Sequence, residues 1–283
     1  MTVETIHVYH TNDVHSHLDH WSKIAHYIKQ QRRIHELKNE EMLLFDIGDH
    51  ADRVDSLTEG LKGKGNVTLL NHLGYHNVTI GNNEGITFAK TELNELYEEA
   101  AFPVLVANLF DQDGKRPHWA VPYDIHRLKN GITIGVIGVT IPFVVFYEKL
   151  GWKIVDPHEI LPSLVREVRE QADIVILLSH LGYGSDEQIA SEIDGIDVIL
   201  GAHTHHLLQQ GRVVKGTLIA QAGRFGHYVG RLTLRYDKRI GELVEIEAAC
   251  VPVANMKKDS ATEQLLANLR EISKERLSEK VTA

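Results

Sequence analysis

With Cys250 the only cysteine in 283 residues, no disulfide can form within the chain, and the fold does not need an oxidising compartment. Cys250 lies in an alternating, strand-like run and reads as a small buried apolar residue. Basic residues are scarce: 30 Lys and Arg stand against 39 Asp and Glu, and a formal charge of −9 speaks against nucleic-acid or membrane-surface partners, which want a basic patch. No apolar run is long enough to span a bilayer, and residues 1–7 carry neither the basic nor the apolar region of a secretory signal, so the chain is expected in the cytoplasm. What is plentiful is histidine, 18 in all, which raises the prior for metal chemistry. The remaining composition, 43% hydrophobic and 24% charged, is that of a soluble globular protein long enough to bury a core on both faces of a sheet.

Along the chain, residues 6–10 alternate like a first strand, residues 21–37 repeat apolar positions at helical spacing, and residues 42–47 form an apolar second strand, parallel to the first by the crossover rule. A polar, glycine-containing stretch at 53–64 precedes a short helix at 67–73 and a strand at 77–80. Then come a helix at 87–101 and strands at 103–108 and 132–139. The second half reads as a helix at 157–171, a strand at 173–178, a helix at 185–193 and a strand at 196–200. Three strand-like runs without helices follow, at 217–222, 228–236 and 243–253, which predicts closure by antiparallel strands. A charged amphipathic helix at 262–277 ends the chain, with Leu265, Leu266, Leu269, Ile272 and Leu277 as a stripe that needs a partner.

Metal-ligand residues gather where apolar runs end: Asp13 and His15, Asp49 after Gly48, Asn82 and Glu84 after Gly81, His180 after Ser179, and His203 with His205 after Gly201. Open α/β sheets bind ligands at such strand ends. One Asp or Asn there is an ordinary turn or cap residue, but five strand ends carrying Asp, Asn and His point to one site assembled by the fold. Mixed carboxylate, carboxamide and imidazole donors suit Mn, Zn, Fe or Co.

The order Asp-x-His, Gly-Asp, Gly-Asn-x-Glu, His, Gly-x-His-x-His resembles the calcineurin-like metallophosphoesterases. Within them it resembles the catalytic domain of bacterial 5′-nucleotidases, UDP-sugar hydrolases and cyclic-nucleotide phosphodiesterases. The narrower likeness rests on the stretch from Thr11 through Asp13, His15 and His17, on Asn108, and on Asp197 to His205 followed by Gln221, Gly223, Arg224, Phe225 and Gly226. The resemblance implies a four-layered α/β/β/α sandwich of two mixed sheets flanked by helices. It also implies two divalent ions, one on Asp13, His15 and His205, the other on Asn82, His180 and His203, with Asp49 bridging. Two ions about 3.5–4 Å apart can clamp a phosphoryl oxygen and activate a hydroxide for in-line attack. Residues 1–255 are then the catalytic domain and 256–283 a helix leading to a substrate-binding domain absent from this sequence. An aromatic content of 7% fits a chain without its base-recognition half.

One position departs from the family. The residue after the metal-binding Asn is usually a His that assists the leaving group, oriented in the nucleotidases by an Asp three positions later; here Asn83 and Ile86 stand there. Loss of such an acid typically removes a factor of about 10²–10⁴. Asn83 and His50 are the candidates for handling the leaving group, and Asn83 and His206 for contacting the substrate. The expected activity is metal-dependent hydrolysis of nucleotides or related small phosphate esters. The competing expectation, raised by Asn83, is a pseudo-phosphatase that keeps its metals and senses a phosphate ligand.

Overall fold

The computed structural model describes residues 3–282. Strand β1 (Val3–Thr11) leads into helix α1 (Trp21–Lys38), which stops at Asn39, whose left-handed backbone turns its amide onto the carbonyls of His35 and Glu36. Strand β2 (Glu41–Asp46) returns parallel to β1, as the crossover rule predicts. Helices α2 (Ser56–Leu61) and α3 (Lys64–Leu73), strand β3 (Asn77–Val78), helices α4 (Asn82–Thr87) and α5 (Lys90–Leu96), and strands β4 (Val104–Leu105), β5 (Leu109–Asp111) and β6 (Ala120–Val121) follow. Next come β7 (Tyr123–Arg127), β8 (Thr133–Thr140), α6 (Val144–Lys149), β9 (Trp152–Ile154), α7 (Pro157–Arg169), β10 (Ile174–His180), α8 (Tyr183–Glu192) and β11 (Val198–Gly201). The chain closes with β12 (Arg212–Val214), β13 (Thr217–Ala220), β14 (Tyr228–Asp237), β15 (Glu242–Pro252) and α9 (Ser260–Thr282).

One sheet has the order β15-β14-β1-β2-β3-β4-β6 and the other β12-β13-β11-β10-β8-β7, while β5 and β9 form a separate pair. Ile6, Val8 and Phe45 from the first meet Ile134, Ile176 and Leu200 from the second in a core between the sheets. Outside the first sheet, Trp21, Ile24 and Ile28 of α1 pack with Leu69 and Leu70 of α3; outside the second, Val165, Val168 and Ile189 cover Ile137, Val139 and Leu177. The four layers are the α/β/β/α sandwich that the sequence leads one to expect, and the apolar runs at 174–178 and 198–200 are continuous because both faces of their sheet are covered.

Three details differ from the sequence reading. The stretch 53–64 holds α2, whose start is fixed by Asp55 accepting from the amides of Leu57 and Thr58. The helix expected at 87–101 is shorter, α5 at Lys90–Leu96, with Phe88 and Ala89 extended before it, and the loop expected at 81–84 instead opens a separate helix, α4. The closing strands are not all antiparallel: β13 pairs parallel with β11, and the chain then crosses to the first sheet, where β14 runs antiparallel to β1 and β15 to β14. Cys250 is buried as expected, and burial pushes its thiol up to about 11.

Helix α9 lies on the outer helices of the first sheet. Leu266 and Leu269 are buried in the cluster that holds Trp21 and Leu70, and Ser273 donates to the carbonyl of Ser56 at 2.6 Å. Leu269→Ala is expected to lower unfolding stability by about 2–5 kcal/mol, the cost of a large-to-small change in a packed core. A denaturant midpoint equal to that of the parent would show that the helix does not contribute to the folded unit.

Two buried histidines outside the candidate metal ligands make stability pH-dependent. Burial holds His10 on β1 down at about 4; burial, with His126 and Arg32 nearby, does the same to His76. In the unfolded chain an imidazole takes its proton near 6.5, roughly, so these histidines favour the fold fully above that pH. Their contribution is lost as pH falls from about 6.5 towards 4, at up to about 1.4 kcal/mol per pH unit for each. The melting temperature is therefore expected to fall through this window, and the fall to be shallower in His76→Gln. An identical slope in the variant would remove His76 from the account.

Candidate metal centre

Three parallel strands of the first sheet, β1, β2 and β3, and two of the second, β10 and β11, deliver their carboxyl ends to one edge of the sandwich. The loops there are stitched together by backbone: the amide of Asp13 donates to Gly48 at 3.1 Å and that of His15 to Asp49 at 2.7 Å. Between the sheets, His180 Nδ1 donates to the carbonyl of Ile47 at 2.6 Å. The amide of His203 donates to both carboxylate oxygens of Asp13, at 3.0 and 3.1 Å. Asp13, His15, Asp49, His203 and His205 all have left-handed backbones. Such conformations cost on the order of 1–3 kcal/mol each and persist where the surroundings impose them.

Two donor groups result. Asp13, His15 and His205 bring ligand atoms within 4.8 Å of one another, and so do Asp49, His180 and His203. His15 Nε2 lies 3.2 Å from His205 Nε2 and 3.6 Å from Asp49 Oδ2, while Asp49 Oδ2 lies 3.3 Å from His180 Nε2. Asp49 thus stands between the groups. Asn82 places Oδ1 2.9 Å from His203 Nδ1, beside the second group.

The donors fit divalent cations on a specific observation. His180 is fully buried and uses Nδ1–H on Ile47, yet its Nε2 has no hydrogen-bond partner and faces the Asp49 carboxylate. A lone pair facing an anion in a buried site calls for a positive charge between them. Burial works against a charged His180, but Asp49 and Asp13 outweigh it and push the imidazole up to about 10. A cation answers the same demand without a proton. For Asp49, burial raises the carboxyl, whereas His180, His15 and the amide of Asn83 hold it below the usual range.

Residues outside the proposed ligand set hold the site in shape. Glu84 accepts from the amides of Asp49, Gly81 and Ala51 at 2.9, 2.9 and 2.7 Å, clamping the β2 loop to the start of α4. Burial and the charge of Asp49 raise it to about 7. Gly81 has to be glycine because a Cβ there would collide with the Asp49 carboxylate. Asp52 Oδ2 lies 3.3 Å from His15 Nδ1, the arrangement by which a carboxylate orients a ligating imidazole. Glu84 was legible as the fourth residue of Gly-Asn-x-Glu. Asp52 sits in a stretch that reads only as polar.

The remaining expected residues are scattered. Asn83 lies at the site, its amide N–H 2.7 Å from Asp49 Oδ1 and its side-chain nitrogen 2.8 Å from His15 Nδ1. His50 is not brought to the donors. Its ring is buried edge-on to Trp21 at 4.8 Å, with Nδ1 3.7 Å from Asp46, because the left-handed turn at Asp49 sends the next side chain into the helix-side core. His206 is exposed and packs on Tyr183 at 4.8 Å, with Nδ1 2.9 Å from Thr204. A third group, His7, His35 and Glu40, also clusters, but its rings stack at 3.7 Å and 19°, so their lone pairs run side by side; both rings hydrogen-bond Glu40.

Two sheets packed face to face thus carry two groups of His and Asp donors at their strand ends, a candidate centre for divalent cations. The family model described as calcineurin-like phosphoesterase matches residues 6–207, and the chain belongs to that family. It is 47% identical over 279 residues to the metallophosphoesterase YunD of Bacillus subtilis (strain 168), covering 98% of this chain and 60% of YunD. It is 27% identical to the trifunctional nucleotide phosphoesterase protein YfkN of the same organism, over 82% of this chain and 18% of YfkN. Among solved structures, the 5′-nucleotidase precursor of Thermus thermophilus superimposes with a TM-score of 0.80 at 23% identity, covering 94% of this chain and 58% of that one. The chain therefore spans less than two thirds of the length of each of these three.

Proposed function

We propose that this chain is the catalytic unit of a two-metal phosphoesterase that hydrolyses nucleotides or related small phosphate esters. The observation that carries the reading is the pair of donor groups, with Asp49 Oδ2 3.6 Å from His15 of the first and 3.3 Å from His180 of the second, whose Nε2 is partnerless. The names of YfkN and of the Thermus protein support a nucleotide substrate. In this reading Asp13, His15 and His205 hold one ion, Asn82, His180 and His203 the other, and Asp49 both. When bound, such ions polarise the phosphoryl group and supply a nucleophile at neutral pH. The chain's own work is to fix the donors: Glu84 sets the Asp49 loop, Asp52 orients His15 and Ile47 orients His180. With Asp13 and Asp49 as the only anionic ligands, two divalent ions leave the site positive. That local charge draws a phosphate despite the chain's −9, which salt screens over roughly 8–10 Å.

The test is reconstitution of the chelator-treated protein with Mn²⁺, Zn²⁺ or Co²⁺, with metal content and turnover of nucleoside monophosphates and nitrophenyl phosphate measured together. Two ions per chain and turnover that follows them are expected. Two ions with no turnover of any ester would favour a phosphate sensor, the reading for which Asn83 speaks.

A further inference from the structure

Asn83 leaves the departing oxygen without an acid. Its side chain lies against His15, and an amide gives up no proton near neutral pH. Among the described residues, a single Lys or Arg touches any of the seven proposed ligands: Arg224, whose Nη1 is 3.4 Å from His205 Nδ1. It is carried on a turn in which Gly223, Phe225 and Gly226 are all left-handed. Phe225 donates its amide to the carbonyl of Asp13 at 2.8 Å, Asn12 donates to the carbonyl of Gly223 at 2.7 Å, and Gly223 donates to His206 at 2.9 Å. The turn is therefore bolted to both loops that supply the Asp13 group. The guanidinium lies 4.6 Å from the centre of the Phe225 ring. Among the described residues no carboxylate forms an ion pair with it.

The contact with His205 is incompatible with ligation. When Nε2 of His205 faces a cation, Nδ1 carries the proton, and two donors then oppose each other. The guanidinium is thus released beside a cavity of about 460 Å³ whose wall includes His15, His17, His205 and Phe225. Resting on the phosphoesterase reading above, we infer that Arg224 is a catalytic residue that stabilises the leaving-group oxygen. In the step, a water oxygen bonds to phosphorus as the ester P–O bond breaks, and the water's proton passes to solvent. The electron pair of the broken bond leaves on the alcohol oxygen, which accepts hydrogen bonds from Arg224 and takes its proton from solvent water. Arg224 remains charged throughout, so it lowers the barrier by charge and hydrogen bonding and not by proton transfer.

The experiment compares the parent with Arg224→Ala, Arg224→Lys and His17→Ala on phosphate esters whose alcohols span a wide pKa range. Metal content and the affinity for inorganic phosphate are measured alongside. Expected for Arg224→Ala are unchanged metal content, phosphate binding weakened several-fold, and a loss in kcat/KM that grows with leaving-group pKa, from about threefold for nitrophenyl esters to about 10²-fold for alkyl esters. Arg224→Lys is expected to recover part of this loss, as is guanidinium added to Arg224→Ala. A slope equal to the parent's, loss of metal in Arg224→Ala, or the slope change appearing in His17→Ala instead would overturn the inference and leave the phosphoesterase reading intact. A metal-loaded parent without turnover would overturn both.

Discussion

Asp49→Ala is expected to reduce bound metal from two ions per chain to one or none and to lower turnover by more than about 10³-fold, above the ~10²–10³ that loss of a single stabilising donor costs. The reason lies in both carboxylate oxygens. Oδ2 stands 3.6 Å from His15 Nε2 and 3.3 Å from His180 Nε2, closer to both than Asp13 Oδ1 at 3.9 and 4.0 Å, so it is the anion nearest to the two donor groups together. Without it, two cations a few ångströms apart face each other across low-dielectric surroundings. Oδ1 accepts the amide of Asn83 at 2.7 Å and so ties the β2 loop to α4. Alanine also leaves that amide without its partner, at about 1–3 kcal/mol. Asp49→Asn separates the effects: it keeps an acceptor for Asn83 and removes the charge, so it should melt near the parent temperature while still losing metal. Elemental analysis showing unchanged metal in Asp49→Ala would refute the bridging role.

The strand ends were legible because their signal is local. An apolar run followed by Gly-Asp or Gly-x-His-x-His announces both the buried strand and the loop that leaves it, and the donors fall within a few residues of the last apolar position. The order of strands was not legible. Nothing in residues 217–220 says that β13 joins the second sheet in parallel while β14, the next strand along, joins the first. That choice depends on which apolar faces remain uncovered once both sheets exist. Short elements escaped for a related reason: β12, β9 and α6 have three to six residues each, too few to show a period, and are fixed by what they pack on. At the site, the residues missed were those whose role is a contact across the sequence. Asp52 meets His15 from 37 positions away. His50 was misplaced because proximity in sequence to Asp49 says nothing of direction, and the left-handed turn at Asp49 aims the two side chains apart.

Asn83→His should raise turnover of esters with poor leaving groups by up to about 10²-fold, with a gain that shrinks as the leaving group becomes more acidic. Position 83 begins beside the reacting centre: its amide is held by Asp49, and its side chain reaches His15 Nδ1 at 2.8 Å. An imidazole there needs a carboxylate to set its tautomer. The family resemblance points to position 86 for that carboxylate, but Ile86 packs against the helix-side core, where an Asp would bring a poorly solvated charge into an apolar surface. Asp52 is better placed, since its Oδ2 already lies 3.3 Å from the His15 nitrogen that Asn83 contacts. The single substitution should therefore suffice, Ile86→Asp should add little and lower stability, and Asp52→Asn should cancel the gain beyond its own effect in the parent background. The measurement is a plot of log kcat/KM against leaving-group pKa for the parent, Asn83→His, Asp52→Asn and the double variant, with metal content checked in each. A shallower slope in Asn83→His that returns to the parent value with Asp52→Asn is expected. Parallel lines for parent and Asn83→His would mean that the ester oxygen departs on the other side of the phosphorus, away from α4.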